Sequence, residues 1–265
     1  MTQPRVLSIA GTDPTGGAGV QADLKSIAAA GGFGMAAVTA LVAQNTHGVR
    51  SVHTPPHEFL REQLAAVFDD VTVDAVKIGM LGDVDTIAVV CDTLAARPAG
   101  HVVLDPVMVA SSGDRLLDQD AEAGVRELVR LVDVITPNLR ELAVLCGTDM
   151  AGDLDEAIAQ AAGLAADAGT TVIVKGGHLT GSAADNAVVH PDGTVHHVPT
   201  ARIDTANTHG TGCSLSAALA TRMAAGESAA EALEWSTRWL HESIRHADDL
   251  DVGGGHGPVD HFHRT

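Results

Sequence analysis

Tyrosine is absent from the 265 residues, and Phe, Trp and Tyr together make up 2%, so no aromatic platform for stacking nucleic-acid bases is available. Hydrophobic residues still reach 45%, which leaves Ala, Val, Leu and Ile to build a core of ordinary size. Lysine is almost as scarce, with only Lys25, Lys77 and Lys175. Lys and Arg total 16 against 34 Asp and Glu, a formal charge of -18, which argues against nucleic acid or an anionic membrane as partner. The three cysteines, Cys91, Cys146 and Cys213, are odd in number, far apart and without CxxC or Cys/His ligand spacing. Neither a disulfide framework nor a zinc site is suggested, and a reducing compartment fits. No apolar run approaches the roughly 18 residues of a membrane span. Met1 to Arg5 leads straight into an apolar strand without a signal-type segment, so the expectation is a soluble, cytoplasmic protein.

What is present is alternation. Short β-branched runs at Val6–Ala10, Met35–Val42, Ala75–Ile78, His101–Leu104, Val134–Thr136 and Thr171–Lys175 read as strands. Helical patterns lie between them, near Gly19–Ala30, Glu58–Val67, Val84–Ala96, Ala121–Leu131, Leu139–Leu145 and Leu154–Ala168. A single α/β domain over 1–265 follows, with a mainly parallel sheet covered on both faces. Ala187–His190 and Val195–Val198, joined by Pro191-Asp192-Gly193, read as an antiparallel hairpin at the sheet edge. Two helices close the chain, Thr211–Ala225 and Ala229–His246, the second with Trp235 and Trp239 on one face, expected to pack inward.

Two glycine-rich segments stand out. Gly11 to Gly19 contains a formal GxGxxA match, Gly17 to Ala22, but no Asp or Glu lies between Asp23 and Glu58 to hold a ribose, and the gap from the strand is too long. A dinucleotide-dependent oxidoreductase is disfavoured, and a loop touching a small ligand is the better reading. Asn207-Thr208-His209-Gly210-Thr211-Gly212-Cys213-Ser214 directly precedes an Ala-rich helix and has the form of a helix N-terminal anion site. Cys213 falls in the first helical turn, where the dipole would lower a thiol pKa, making it a candidate base or nucleophile. Cys91 and Cys146 read as buried small hydrophobes. Asn138 and Glu141, three apart after a strand, could face a ligand or a hydrated Mg2+, but Asn with Glu at this spacing is equally a helix capping box. Lys175, ending an apolar strand at the same rim, is hard to explain as core. The run Asp260-His261-Phe262-His263 reads as a surface tail rather than a metal site.

Asn138-x-x-Glu141 and Gly210-Thr211-Gly212-Cys213 resemble the two signatures of ribokinase-like kinases. Longer strings, Ala10 to Pro14, Gly16 to Gly19, Gln21-Ala22-Asp23, Thr39 to Thr46, Lys77 to Leu81, Val103 to Met108, Lys175 to His178, Asn207 to Cys213 and Gly257 to His263, are similar to the hydroxymethylpyrimidine/phosphomethylpyrimidine kinases of thiamine synthesis. This resemblance spans nearly the whole chain. It implies a three-layer α/β/α sandwich, a homodimer, and ATP- and Mg2+-dependent phosphorylation of 4-amino-5-hydroxymethyl-2-methylpyrimidine to its monophosphate and then its diphosphate. It further implies that Gln44 meets the aminopyrimidine, with Gly11, Ala18, Asp23, Val42, Met80 and Val107 around it. Gly210, Thr211, Gly212 and Cys213 would act on the transferring phosphoryl group. Lys175, Asn138, Glu141 and Thr208 would serve the nucleotide, and Glu141, with Asp105, the Mg2+. Cys213 stands where sugar kinases of the superfamily carry an aspartate base. Pyridoxal kinase shares the fold, anion hole and cysteine and is the nearest alternative, with the run Ala43 to Thr46 favouring the pyrimidine. A non-catalytic binding protein is disfavoured by Cys213, Glu141 and Lys175 occurring together.

Overall fold

The computed structural model describes residues 2–108, 116–179 and 182–263. In chain order the elements are β1 (Arg5–Ala10), α1 (Gly19–Ala29), β2 (Phe33–Val38), β3 (Leu41–Asn45), β4 (Gly48–His53), α2 (His57–Phe68), β5 (Ala75–Ile78), α3 (Val84–Ala96) and β6 (His101–Leu104). They continue as α4 (Glu122–Val129), β7 (Val134–Ile135), α5 (Leu139–Cys146), α6 (Leu154–Ala168), β8 (Thr171–Lys175), β9 (Asn186–Val189), β10 (Val195–Val198), α7 (Thr211–Ala224) and α8 (Ala229–Arg245). Eight strands form one sheet in the order β10-β9-β8-β7-β6-β5-β1-β2. Pairing is parallel from β2 across to β8 and antiparallel at β8–β9 and β9–β10, so the hairpin sits at one edge as expected.

Strand alternation divides the core in two. Leu7, Ile9, Val76, Ile78, Leu104 and Ile135 point to one face, where Leu64, Ile87, Val125, Leu142 and Ala161 of α2 to α6 cover them. Val6, Ala75, Val103, Val134 and Ile173 point to the other, against Ile27 of α1, Leu219 of α7 and Leu233 of α8. The result is a three-layer sandwich. Ser214, Ser216, Ala217, Ala218 and Ala220 are fully buried along α7, and these small side chains let that helix lie close against the sheet. Leu219 is wholly enclosed there, and truncating such a side chain to Ala costs about 2–5 kcal/mol.

The structure corrects three expectations. The single strand read over Met35–Val42 breaks at Thr39-Ala40. There the Thr39 hydroxyl donates to the Met80 carbonyl and the Ala40 carbonyl accepts from Thr12 N–H. The chain then leaves the main sheet, and β3 pairs antiparallel with β4, a strand the sequence reading lacked, with a bulge at Ala43/Gln44. Trp235 is half-buried rather than inward, stacked at 6.0 Å on Trp239, which does pack against the core, with the Arg222 guanidinium over Trp235. His261 is not part of a loose tail: it is 3% exposed, its Nε2 is 2.9 Å from Ser214 Oγ, and its ring faces Trp239.

Candidate active site

The site lies where the carboxyl ends of β1, β5, β6 and β8 meet the start of α7, the place where open α/β sheets hold ligands. Gly210 opens α7 in the left-handed region at φ +79°, and a Cβ there would lie 1.8 Å from the Gly17 carbonyl oxygen, so glycine alone fits. The N–H groups of Gly212 and Cys213 have no partner among the described residues. That of Thr211 is 3.3 Å from the Thr208 carbonyl and so is partly turned back into the loop. Two unpaired donors at a helix N-terminus form a cradle for an anion. The Thr208 side chain stands exposed at its rim.

Over this cradle sit two charges from neighbouring strands. A Cβ on Gly212 would be 3.5 Å from both Asp105 Oδ2 and Lys175 Nζ. Lys175 Nζ donates to Asp105 Oδ1 at 3.2 Å, and that oxygen also accepts from Thr136 Oγ1 at 3.1 Å. Lys175 is thus the strand-end cation expected at the rim. Burial acts to lower its pKa, but Asp105 and Glu141 outweigh it and raise the value, keeping it charged.

Asn138 and Glu141 form the capping box in full. Asn138 Oδ1 accepts from Arg140 N–H and Glu141 N–H at 2.9 and 3.0 Å, and Glu141 Oε2 accepts from Asn138 N–H at 2.8 Å. Capping and function are not exclusive here. Glu141 is buried, and burial with Asp105 nearby pushes its carboxyl up to about 7 against the pull of Lys175. A carboxyl balanced in this way is held by charges that a bound cation or phosphate would shift. Among the described residues no group of three or more His, Cys, Asp or Glu could by itself hold a metal. Asp105 at the cradle, with the Glu141 carboxyl near enough to interact with it and with Lys175, does fit Mg2+, which keeps waters and shares its coordination with substrate phosphates.

On the acceptor side, a Cβ on Gly11 would lie 3.1 Å from Met80 Sδ and 3.7 Å from Val42 Cγ2, so these three converge on one small apolar space. Val42 N–H donates to Thr12 Oγ1, fixing β3 over the first glycine-rich loop. Gln44 is half-buried on β3, and its amide has no partner among the described residues, leaving donor and acceptor available. Ala18 and the half-buried Val107 border the same loops, with Ala18 N–H donating to Asp13.

Two sequence expectations change. Asp23 does not face the pocket: it is 0% exposed, accepting from Lys77 Nζ at 2.8 and 2.9 Å and from Ser8 Oγ at 2.6 Å. Its role is to hold Lys77 rather than a substrate. Cys213 does not have a lowered pKa. Burial pushes the thiol up to about 11, opposed by Lys77 and reinforced by Asp23 and Asp105, and desolvation here exceeds the helix dipole. The sequence reading also gave no role to Asp13 or His209. His209 Nε2 lies 2.8 Å from Asp13 Oδ2, joining the two glycine-rich loops; both residues stood within quoted motifs, but only the fold shows them meeting.

Comparison with known proteins identifies the family. Residues 13–260 match the family described as phosphomethylpyrimidine kinase. The chain is 69% identical over 262 residues to the thiamine biosynthesis multifunctional protein ThiED of Corynebacterium efficiens, covering 99% of this chain but 36% of that protein. It therefore spans about a third of that longer relative. It is 48% identical over 259 residues to hydroxymethylpyrimidine/phosphomethylpyrimidine kinase of Rhizobium meliloti, covering 97% of each. Among solved structures, the ADP complex of Bacillus subtilis pyridoxal kinase superposes with TM-score 0.89 at 33% identity, covering 98% of both chains. The Clostridium difficile phosphomethylpyrimidine kinase superposes with TM-score 0.80 at 33% identity, covering 91% of this chain and 100% of the other. Fold similarity alone does not separate the two vitamin kinases, whereas the sequence matches do. The chain belongs to the phosphomethylpyrimidine kinase family.

Proposed function

We propose that the protein phosphorylates 4-amino-5-hydroxymethyl-2-methylpyrimidine with ATP, and then its monophosphate to the diphosphate, in thiamine diphosphate synthesis. The observation that carries this reading is the meeting of two half-sites. A small apolar pocket at Gly11, Val42 and Met80, with the free amide of Gln44, lies beside an N–H cradle topped by Lys175. The pocket suits a methylated aminopyrimidine, and the cradle suits a phosphoryl group in flight. Solved Staphylococcus aureus pyridoxal kinase structures in complex with ADP and with AMP-PCP, 30% identical to this chain, support an adenine nucleotide as the second ligand.

Catalysis on this frame is positioning and charge stabilisation. Gln44 orients the ring so that its hydroxymethyl oxygen faces the cradle. The N–H groups of Gly212 and Cys213 and the Lys175 ammonium stabilise the equatorial phosphoryl oxygens as the bond to the acceptor forms and that to ADP breaks. Mg2+, when bound through water near Glu141 and Asp105, would neutralise charge on the nucleotide phosphates. Cys213 stays protonated in the unliganded site, so it orients the hydroxyl rather than waiting as a thiolate. In the loose transition state the acceptor proton leaves late. The same half-sites serve a homodimeric, cytoplasmic kinase, as the family resemblance implies.

The test is an ATP-consumption assay with the hydroxymethylpyrimidine, its monophosphate and pyridoxal, product phosphates being counted by mass spectrometry. Sequential appearance of mono- and diphosphate is expected. A kcat/KM for pyridoxal above that for the pyrimidine would move the assignment to pyridoxal kinase.

A further inference from the structure

Asp13 is 0% exposed and gathers hydrogen bonds from an entire loop. Its Oδ1 accepts from Thr15 N–H at 2.9 Å and Thr15 Oγ1 at 2.7 Å, while Oδ2 accepts from Gly17 N–H at 3.1 Å and Ala18 N–H at 2.8 Å. The remaining partner comes from the other side of the site. His209 Nε2 lies 2.8 Å from Oδ2, and its ring packs where a Cβ on Gly17 would come within 2.5 Å of it. The His209 backbone is in turn held by the Gly257 carbonyl at 3.1 Å. Every acceptor direction of the carboxylate is therefore occupied, so His209 must present an N–H at Nε2. Burial acts to raise the Asp13 pKa, but the bonds from His209 and Thr15 outweigh it and hold the carboxyl well below its ordinary range.

Neither loop depends on this bond alone for its shape. Asp13 already closes 13–18 through four bonds, and α7 is anchored by its packing on the sheet. What the His209 contact adds is the separation between the loop bordering the pyrimidine and the residue next to Gly210, where the phosphate cradle begins. Resting on the kinase reading above, we propose that His209, through Asp13, is a positioning residue that sets the distance between acceptor and phosphoryl cradle. The hydroxymethyl oxygen and the γ-phosphorus need near-contact alignment, and a shift on the order of 1 Å at such a junction costs about 100-fold in rate.

The experiment compares wild type with His209→Gln, whose amide nitrogen can reach the Nε2 position, and with His209→Leu and His209→Ser, which cannot donate to Asp13. Each is assayed for kcat and KM in both phosphorylation steps and for thermal unfolding. Loss of a charge-assisted bond predicts a fall in kcat of about 30-fold for Leu and Ser, with KM for the pyrimidine within about threefold of wild type and Gln recovering most of kcat. A purely structural contact would lower the melting temperature and leave kcat at assay temperature unchanged. Equal kcat for wild type and His209→Ser, or equal losses for Gln and Ser, overturns the proposal. So does folding of the Gln variant alone, which would make the pair a folding contact. An inactive wild type would instead refute the kinase reading itself.

Discussion

Replacing Lys77 by Met isolates the energetic role of a fully buried charge on β5. Lys77, Asp23 and Ser8 are all 0% exposed, and Asp23 binds the ammonium through both oxygens at 2.8 and 2.9 Å. Removing the ammonium leaves a carboxylate without countercharge in a dry interior, which costs about 3–5 kcal/mol. For a chain of this size each kcal/mol moves the melting temperature by roughly 2–4 °C, so a fall of roughly 6–20 °C is expected by circular dichroism at neutral pH. The double variant Lys77→Met/Asp23→Leu removes both charges and should regain most of that loss, since apolar replacement of a whole buried pair is close to neutral. A single variant melting within about 2 °C of wild type would refute the reasoning, as would a double variant no more stable than the single.

Other outcomes are as specific. Cys213→Ala should reduce kcat more for the first phosphorylation than for the second, whose acceptor is a phosphate oxygen rather than a hydroxyl that the thiol must orient; equal losses in both steps would contradict this. Gly210→Ala should abolish both steps and lower the melting temperature, because its Cβ would strike the Gly17 carbonyl and its φ is left-handed; unchanged melting would refute it. Burial, with Lys25 nearby, pushes His261 down to about 3, so the folded state binds less proton than the unfolded one between about pH 6.5 and 3. Stability should fall as pH drops through that window, and His261→Gln should flatten the dependence measured by urea unfolding. Asp13, held well below the carboxylate range, contributes stability that is complete above about pH 4 and lost on further acidification; Asp13→Asn should remove that part of the acid transition.

Much of the architecture is legible locally. α3, β5, β6, α6 and β8 begin and end where the apolar pattern begins and ends, because each carries its own turn or cap: Asp83 and Asp153 accept from the third residue of α3 and α6, and Gly169 closes α6 in the left-handed region. The break at Thr39-Ala40 is not legible, because nothing in that apolar run signals it. It is fixed by Thr12 and Met80, which arrive from elsewhere. The same holds for the site. Glycine spacing and the Asn138/Glu141 pair announce the left-handed start of α7 and the capped start of α5, since backbone geometry is a local property. The protonation of Cys213, the burial of Lys77 and the docking of His261 depend on what packs against them, and a residue's neighbours across the fold leave no mark beside it in sequence.

The clasp between Asp13 and His209 joins residues 196 apart, and His209 is itself steadied by Gly257. Closing so long a loop is entropically late, so the two halves of the site meet only after most of the sheet has formed. During synthesis the first glycine-rich loop precedes its counterpart by nearly 200 residues and stays without it until the start of α7 has been made. A polypeptide that stops short of α7 would therefore leave the loop at 13–18 without the partner that ties it to the start of that helix.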